Sequence, residues 1–143
     1  MKKAALSLIC FMFLTLASNA AGIGYVNYDT VSKNYSLAKK YTTDLNNKIK
    51  AIKNYTAQKD KEVANAKTAV QKANIRKTAL AEIEKKQKDY LTTRGRYEID
   101  LTKKINAAAE QVRVQKKLDV IINKDSVVAG GVDVTQAVLA ILK

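Results

Sequence analysis

Side-chain catalysis needs a nucleophile, a proton shuttle or a set of metal ligands, and this chain is short of all three. Histidine does not occur, and the one cysteine, Cys10, sits in an apolar run near the N-terminus. The usual nucleophile–base pairs, zinc sites and imidazole relays are thereby excluded from everything that follows that run. Carboxylates do not replace them. Glu82 has no acidic partner nearby, and Glu98 and Asp100, two residues apart, do not face each other on a helix. Gly130-Gly131 lacks the Lys-Ser/Thr ending of a phosphate loop and reads as a turn that stops a strand. The chain is expected to bind and not to catalyse, with no cofactor and no metal.

Positive charge is what the sequence has in excess. Twenty-six Lys and Arg stand against 13 Asp and Glu, a formal net charge of +13. Charge of this size draws a protein to polyanionic surfaces such as anionic lipid or nucleic acid. A merely solvated rod mixes the signs more evenly. Lys59, Lys67, Arg76, Lys77, Lys85, Lys86, Lys88, Arg94 and Arg96 are therefore the candidate contacts for a partner. Tyr55 joins them, because helical spacing puts it off the main apolar seam and tyrosine offers apolar area with a polar edge.

The first twenty residues belong to a different element. Lys2 and Lys3 precede the apolar run Ala4 to Leu16, and Ser18-Asn19-Ala20 supplies small residues, which is the pattern of a secretory signal peptide cleaved after Ala20. The run is shorter than the roughly 20 residues that span a membrane. Ile9 before Cys10 argues against lipid attachment. Removing Lys2 and Lys3 lowers the net charge from +13 to +11, and the aromatic residues that remain are seven tyrosines. Without cysteine, an exported protein must draw stability from helix packing and subunit association.

Between Tyr25 and Arg94 there is no glycine or proline, so nothing interrupts a helix. Apolar positions from Ala38 through Leu45, Ile49, Ile52, Val63 and Val70 step by fours and threes, the narrow seam of a coiled coil. A second series runs through Leu80, Ile83, Gln87, Tyr90, Arg94, Tyr97, Leu101, Ile105, Ala108 and Val112. Folding the two back on each other keeps the sum of facing residue numbers nearly constant, with Leu45 opposite Ile105 and Ile52 opposite Tyr97. That arrangement predicts an antiparallel hairpin, 36–112, with its turn near 74–76 and arms of about 40 residues, or roughly 60 Å. Side chains shrink from Leu45, Ile49 and Ile52 to Ala66, Val70 and Ala73, so the tips should open more readily than the base. Gly95 adds a weak point.

The two ends read as a small β-rich base, 21–35 with 113–143. Gly24 to Tyr28 forms a strand, Asp29 to Ser32 or Ser36 opens a helix, and Leu118 to Ile122 and Val127 to Ala129 form a returning β-hairpin. Asp133 with Gln136 then starts a last helix. Val26, Tyr28, Val120, Ile122, Val128, Val138 and Leu142 are the expected core and subunit-joining residues. The fold class is thus mainly α with a small β base, a long helical hairpin projecting from an oligomerisation body.

The segments GIGYVNYDTV, Gly22 to Val31, and KKLDVIINKDSVVAGGVDVTQAVLAILK, Lys116 to Lys143, resemble the Skp/OmpH family of periplasmic chaperones. The resemblance implies a homotrimer whose bases join and whose arms enclose a cavity, holding unfolded outer-membrane proteins in the periplasm without ATP. The arms look shorter than in well-known members, and no lipopolysaccharide-binding motif carries over. Two other readings of the residues stand beside it: a binder of lipopolysaccharide or of an anionic membrane surface, and a structural coiled-coil spacer. Export leaves nucleic acid without a physiological role.

Overall fold

The computed structural model describes residues 22–143, and the expected signal peptide with its cleavage site lies outside the described residues. Three strands and four helices follow in the order β1 (Ile23–Val26), α1 (Tyr28–Asn34), α2 (Ser36–Asn65), α3 (Ala69–Gln115), β2 (Val120–Asn123), β3 (Val132–Asp133) and α4 (Thr135–Ile141). The chain is mainly α with a small β part.

β1 alternates, with Gly24 and Val26 turned into the core and Ile23 and Tyr25 turned away. Gly24 is closely approached by side chains of the core. A Cβ there would lie 2.8 Å from Leu118 Cδ1 and 3.2 Å from Ile121 Cγ1. Asn27 caps α1 by accepting the Thr30 N–H at 2.9 Å, and the helix stops where Tyr35 goes extended. That break lets α1 lie on the base while α2 departs from it.

The sheet order is β2-β1-β3, with both outer strands parallel to β1. This overturns the expected β-hairpin. Val127 to Ala129 is not a strand; the chain makes one 3₁₀ turn at Lys124–Ser126, and Gly130 and Gly131 take left-handed φ of 77° and 87°. Those two glycines let the chain reverse before β3 instead of after it. A parallel return needs a longer detour than a tight hairpin, and a strand with two open edges accepts a partner on each. Thr135 closes the base by accepting the Asn27 N–H at 3.0 Å and donating its own N–H to Asp133 Oδ1 at 2.9 Å.

The core is Val26, Val31, Ile105, Ala108, Ala109, Val112, Leu118, Val134 and Val138. Ile105 to Ala109 come from inside the expected arm, so α3 runs through the base without a joint. It ends in a left-handed cap at Lys117, φ 54°, with the Leu118 N–H donating to the Arg113 carbonyl at 2.9 Å.

The hairpin turn is at Ala66 to Thr68, not near 74–76. Thr68 and Gln71 form a capping box, each side chain accepting the other's backbone N–H at 3.2 Å. The T-x-x-Q signature supplies the end groups that Asn74 to Arg76 lack. The arms are therefore unequal, 30 residues in α2 and 47 in α3, and not two of equal length. Thr68→Ala should destabilise the start of α3 by about 1 kcal/mol, read as faster hydrogen exchange at residues 69–72 with the base amides unchanged.

Candidate functional site

The arm is held together by polar and aromatic contacts as much as by its apolar seam. Tyr41 and Tyr97 stack across the helices with ring centroids 3.7 Å apart and planes 4° from parallel. Their hydroxyls donate in opposite directions, Tyr41 to Asp100 Oδ2 at 2.8 Å and Tyr97 to Asp44 Oδ2 at 2.9 Å. Further out, Lys48 Nζ donates to Asp89 Oδ2 at 2.6 Å. Tyr97 was expected opposite Ile52; its partners lie two to three turns nearer the start of α2. The displaced register accompanies the displaced turn.

The inward face of α3 also differs from the expected seam in its distal half. Ala79 and Thr93 are buried and Lys86 is half-buried, whereas Leu80, Gln87 and Arg94 are exposed. A straight helix drifts about 20° per heptad against a strict seven-residue repeat, and burying Arg94 or Gln87 would leave them unpaired. At these three places the inward residue is the one before the residue expected, whereas Ile83, Tyr90 and Tyr97 are half-buried where expected.

Tyr55 does not stand outward. It is half-buried between the arms, 5.5 Å from Lys59 Nζ and 5.4 Å from Lys86 Nζ, placed to hold both by cation–π attraction. Lys59 also bonds Glu62 at 2.6 Å, Lys86 pairs with Glu82 at 3.3 Å, and Arg94 with Glu98 at 2.7 Å. Arg96 lies 5.5 Å over the Tyr97 ring. The other five candidates, Lys67, Arg76, Lys77, Lys85 and Lys88, are exposed and have no carboxylate within ion-pair distance among the described residues. Val70, Leu80, Leu91 and Ile99 are exposed on the same helix, each by 60% or more.

At the base, Val26 and Val138 are fully buried within one chain, and Tyr28 donates its hydroxyl to Asn106 Oδ1 at 2.6 Å. Ile122 and Leu142 are half-buried. Val120 is exposed beside Ile23, its register partner on β1, and Val128 is fully exposed on the loop before the two glycines.

No group of three or more His, Cys, Asp or Glu that could hold a metal occurs among the described residues. The hydrogen bond from Lys48 holds Asp89 below the usual carboxylate range, and the one from Tyr41 does the same for Asp100. Lys48 and Tyr41 are correspondingly raised, each chiefly by its bond to that carboxylate.

The described residues thus form a small parallel three-stranded base that carries a long basic helical hairpin. The family model for OmpH-like outer membrane proteins matches residues 22–142, and the chain belongs to that family. Among solved structures it is similar to a Caulobacter crescentus CB15 protein described as an OmpH-like outer membrane chaperone, at TM-score 0.52 and 17% identity, covering 85% of this chain and 83% of that one. A comparison with curated protein sequences finds no match.

Carboxylates whose folded pKa is depressed stabilise the fold above their ordinary range, and that contribution disappears as pH falls through the folded value. Thermal stability of the arm should therefore hold from about pH 7 to about pH 5 and fall below about pH 4. Circular dichroism melts that stayed level down to about pH 2.5 would contradict the assignment of these bonds to the folded arm.

Proposed function

We propose that this protein is an ATP-independent periplasmic holdase that binds unfolded outer-membrane proteins and keeps them from aggregating. One observation carries the reading: exposed Val70, Leu80, Leu91 and Ile99 stand on α3 among cations that lack acidic partners. An unfolded β-barrel chain exposes alternating apolar residues and carries negative charge, so such a surface attracts it by charge and holds it by apolar contact. Dispersed contacts of this kind are individually weak, which suits a binder that must release its client. Family membership and the description of the Caulobacter protein support the chaperone reading.

The base supports self-association into a homotrimer. Ile23 and Val120 lie side by side on the outward face of the sheet with Ile122 next to them, and Val128 projects beyond. An apolar sheet face on so small a body is best covered by further copies of the chain. Three copies joined there would set three arms around a shared cationic cavity. Lys67, Arg76, Lys77, Lys85 and Lys88 favour one second reading, binding of lipopolysaccharide or an anionic membrane surface, with chaperoning secondary.

Light scattering of an outer-membrane protein diluted from denaturant, with and without this protein at two salt concentrations, separates the readings. Suppression that weakens yet persists at high salt is the expected result. Suppression abolished by salt assigns the surface to polyanions, because charge neutralisation is steeply salt-dependent. No suppression at either salt leaves a structural spacer. Ile122→Asp should reduce the assembly to single chains by static light scattering, and an unchanged trimer mass would refute the sheet face as the joining surface.

A further inference from the structure

The sequence carries the same four-residue pattern on both arms, Tyr41-Thr42-Thr43-Asp44 on α2 and Tyr97-Glu98-Ile99-Asp100 on α3. Spacing i, i+3 places each Tyr and Asp on one helical face. Because the helices are antiparallel, each tyrosine meets the other arm's aspartate, with the stacked rings between. Tyrosine is also the only readily oxidised side chain of this region, since residues 22–143 hold no Cys, Met, Trp or His. Oxidants that reach the protein therefore find phenols and little else.

The phenols differ in what surrounds them. Tyr55 has the ammonium groups of Lys59 and Lys86 for neighbours, and Tyr28 donates to the uncharged amide of Asn106. Neither arrangement offers a base. Tyr41 and Tyr97 alone among the described residues have both a carboxylate on the hydroxyl, at 2.8 and 2.9 Å, and a second phenol against the ring face, at 3.7 Å. A carboxylate at hydrogen-bond distance is placed to take the phenolic proton as an electron leaves the ring. Both rings are half-buried, within reach of a small oxidant and sheltered from the tyrosines of other molecules.

We propose that Tyr41 and Tyr97 are a site of oxidative modification, at which a small one-electron oxidant of the class of peroxide-derived radicals joins the two rings of one chain as dityrosine. Each phenol gives one electron to an oxidant molecule and its proton to the bonded carboxylate, Tyr41 to Asp100 and Tyr97 to Asp44. The two phenoxyl radicals couple between ring carbons ortho to the oxygens. The hydrogens on those carbons then move to the oxygens and restore the phenols. In total one carbon–carbon bond forms, two electrons and two protons leave the protein, and two oxidant molecules are reduced. Rings 3.7 Å apart and 4° from parallel are already gathered for the coupling, so it is intramolecular and fast. The bond ties α2 to α3 covalently, and a chain closed over so long a loop has fewer unfolded states to enter. No client or polyanion takes part, so the site stands apart from the chaperone reading.

Brief illumination of the mature protein with a ruthenium tris-bipyridyl complex and persulfate, which generates a one-electron oxidant, followed by digestion and mass spectrometry, tests it. Peptides carrying Tyr41 and Tyr97 should be joined, two hydrogens lighter than their sum, about tenfold more often than those of any other tyrosine pair. In an equal mixture of isotope-labelled and unlabelled chains, both halves of each joined peptide should carry the same label. Tyr97→Phe keeps the ring and loses the hydroxyl, and should lower total dityrosine fluorescence about tenfold. Asp44→Asn/Asp100→Asn keeps an acceptor for each hydroxyl and removes the base. With helicity unchanged by circular dichroism, it should lower the yield of the Tyr41 to Tyr97 link about tenfold. A link no more frequent than the others, joined peptides of mixed label, or an undiminished yield in the asparagine variant would overturn the proposal.

Discussion

A four-residue strand with a neighbour on each edge governs how the rest of the chain must run. β1 leaves backbone groups unpaired on both sides, and the strands that satisfy them, β2 and β3, come from the other end of the sequence. The chain between has to travel out and return to the same place. An antiparallel pair of helices does this while burying a seam along its length, and α1, cut off by the extended Tyr35, packs Val31 against Val134 and Val138 to seal the sheet. Leu118 approaches Gly24 so closely that a side chain at that position would have to displace the end of Leu118. Contacts this distant in sequence carry the full entropy of closing the loop between them.

Apolar periodicity made the hairpin, the strand at Ile23 and the terminal helix legible from sequence, since each writes its period into residue types. Register was not legible in the same way. Two seams of equal period match at several offsets, and moving one along the other by whole turns preserves every apolar pairing. The offset is selected by polar residues that hydropathy does not weigh: the capping box at Thr68 and Gln71, the bond from Lys48 to Asp89, and the reciprocal tyrosines and aspartates. The capping box and the repeated Tyr-x-x-Asp are both visible in the sequence to a search for polar pairs. The parallel strands were missed because alternation reveals a strand and not its direction. The place of Tyr55 between two lysines depends on that register.

Base and arm differ in what holds them. Val26, Val31, Ile105, Val112, Val134 and Val138 lose nearly all their accessible surface, and burial of this kind contributes at about 25 cal/mol per Å². The ion pairs along the arm are solvent-exposed and contribute little by comparison. Stability is concentrated at one end of the molecule, which leaves the other end free to carry exposed Leu80, Leu91 and unpaired lysines that a packed domain would not tolerate.

The unbroken passage of α3 from the tip into the core restricts how the length of this protein can change in evolution. One residue added between Tyr97 and Ile105 would swing the entire outer helix by about 100° and carry Tyr97 away from Tyr41. Seven residues added to each helix beyond Lys48 and Asp89 would leave every inward side chain on its face and lengthen the arm by roughly 10 Å. Reach is therefore a heritable dimension that moves in paired, quantised steps, and insertions or deletions that do not come in matched sets on both helices should be filtered out of the lineage.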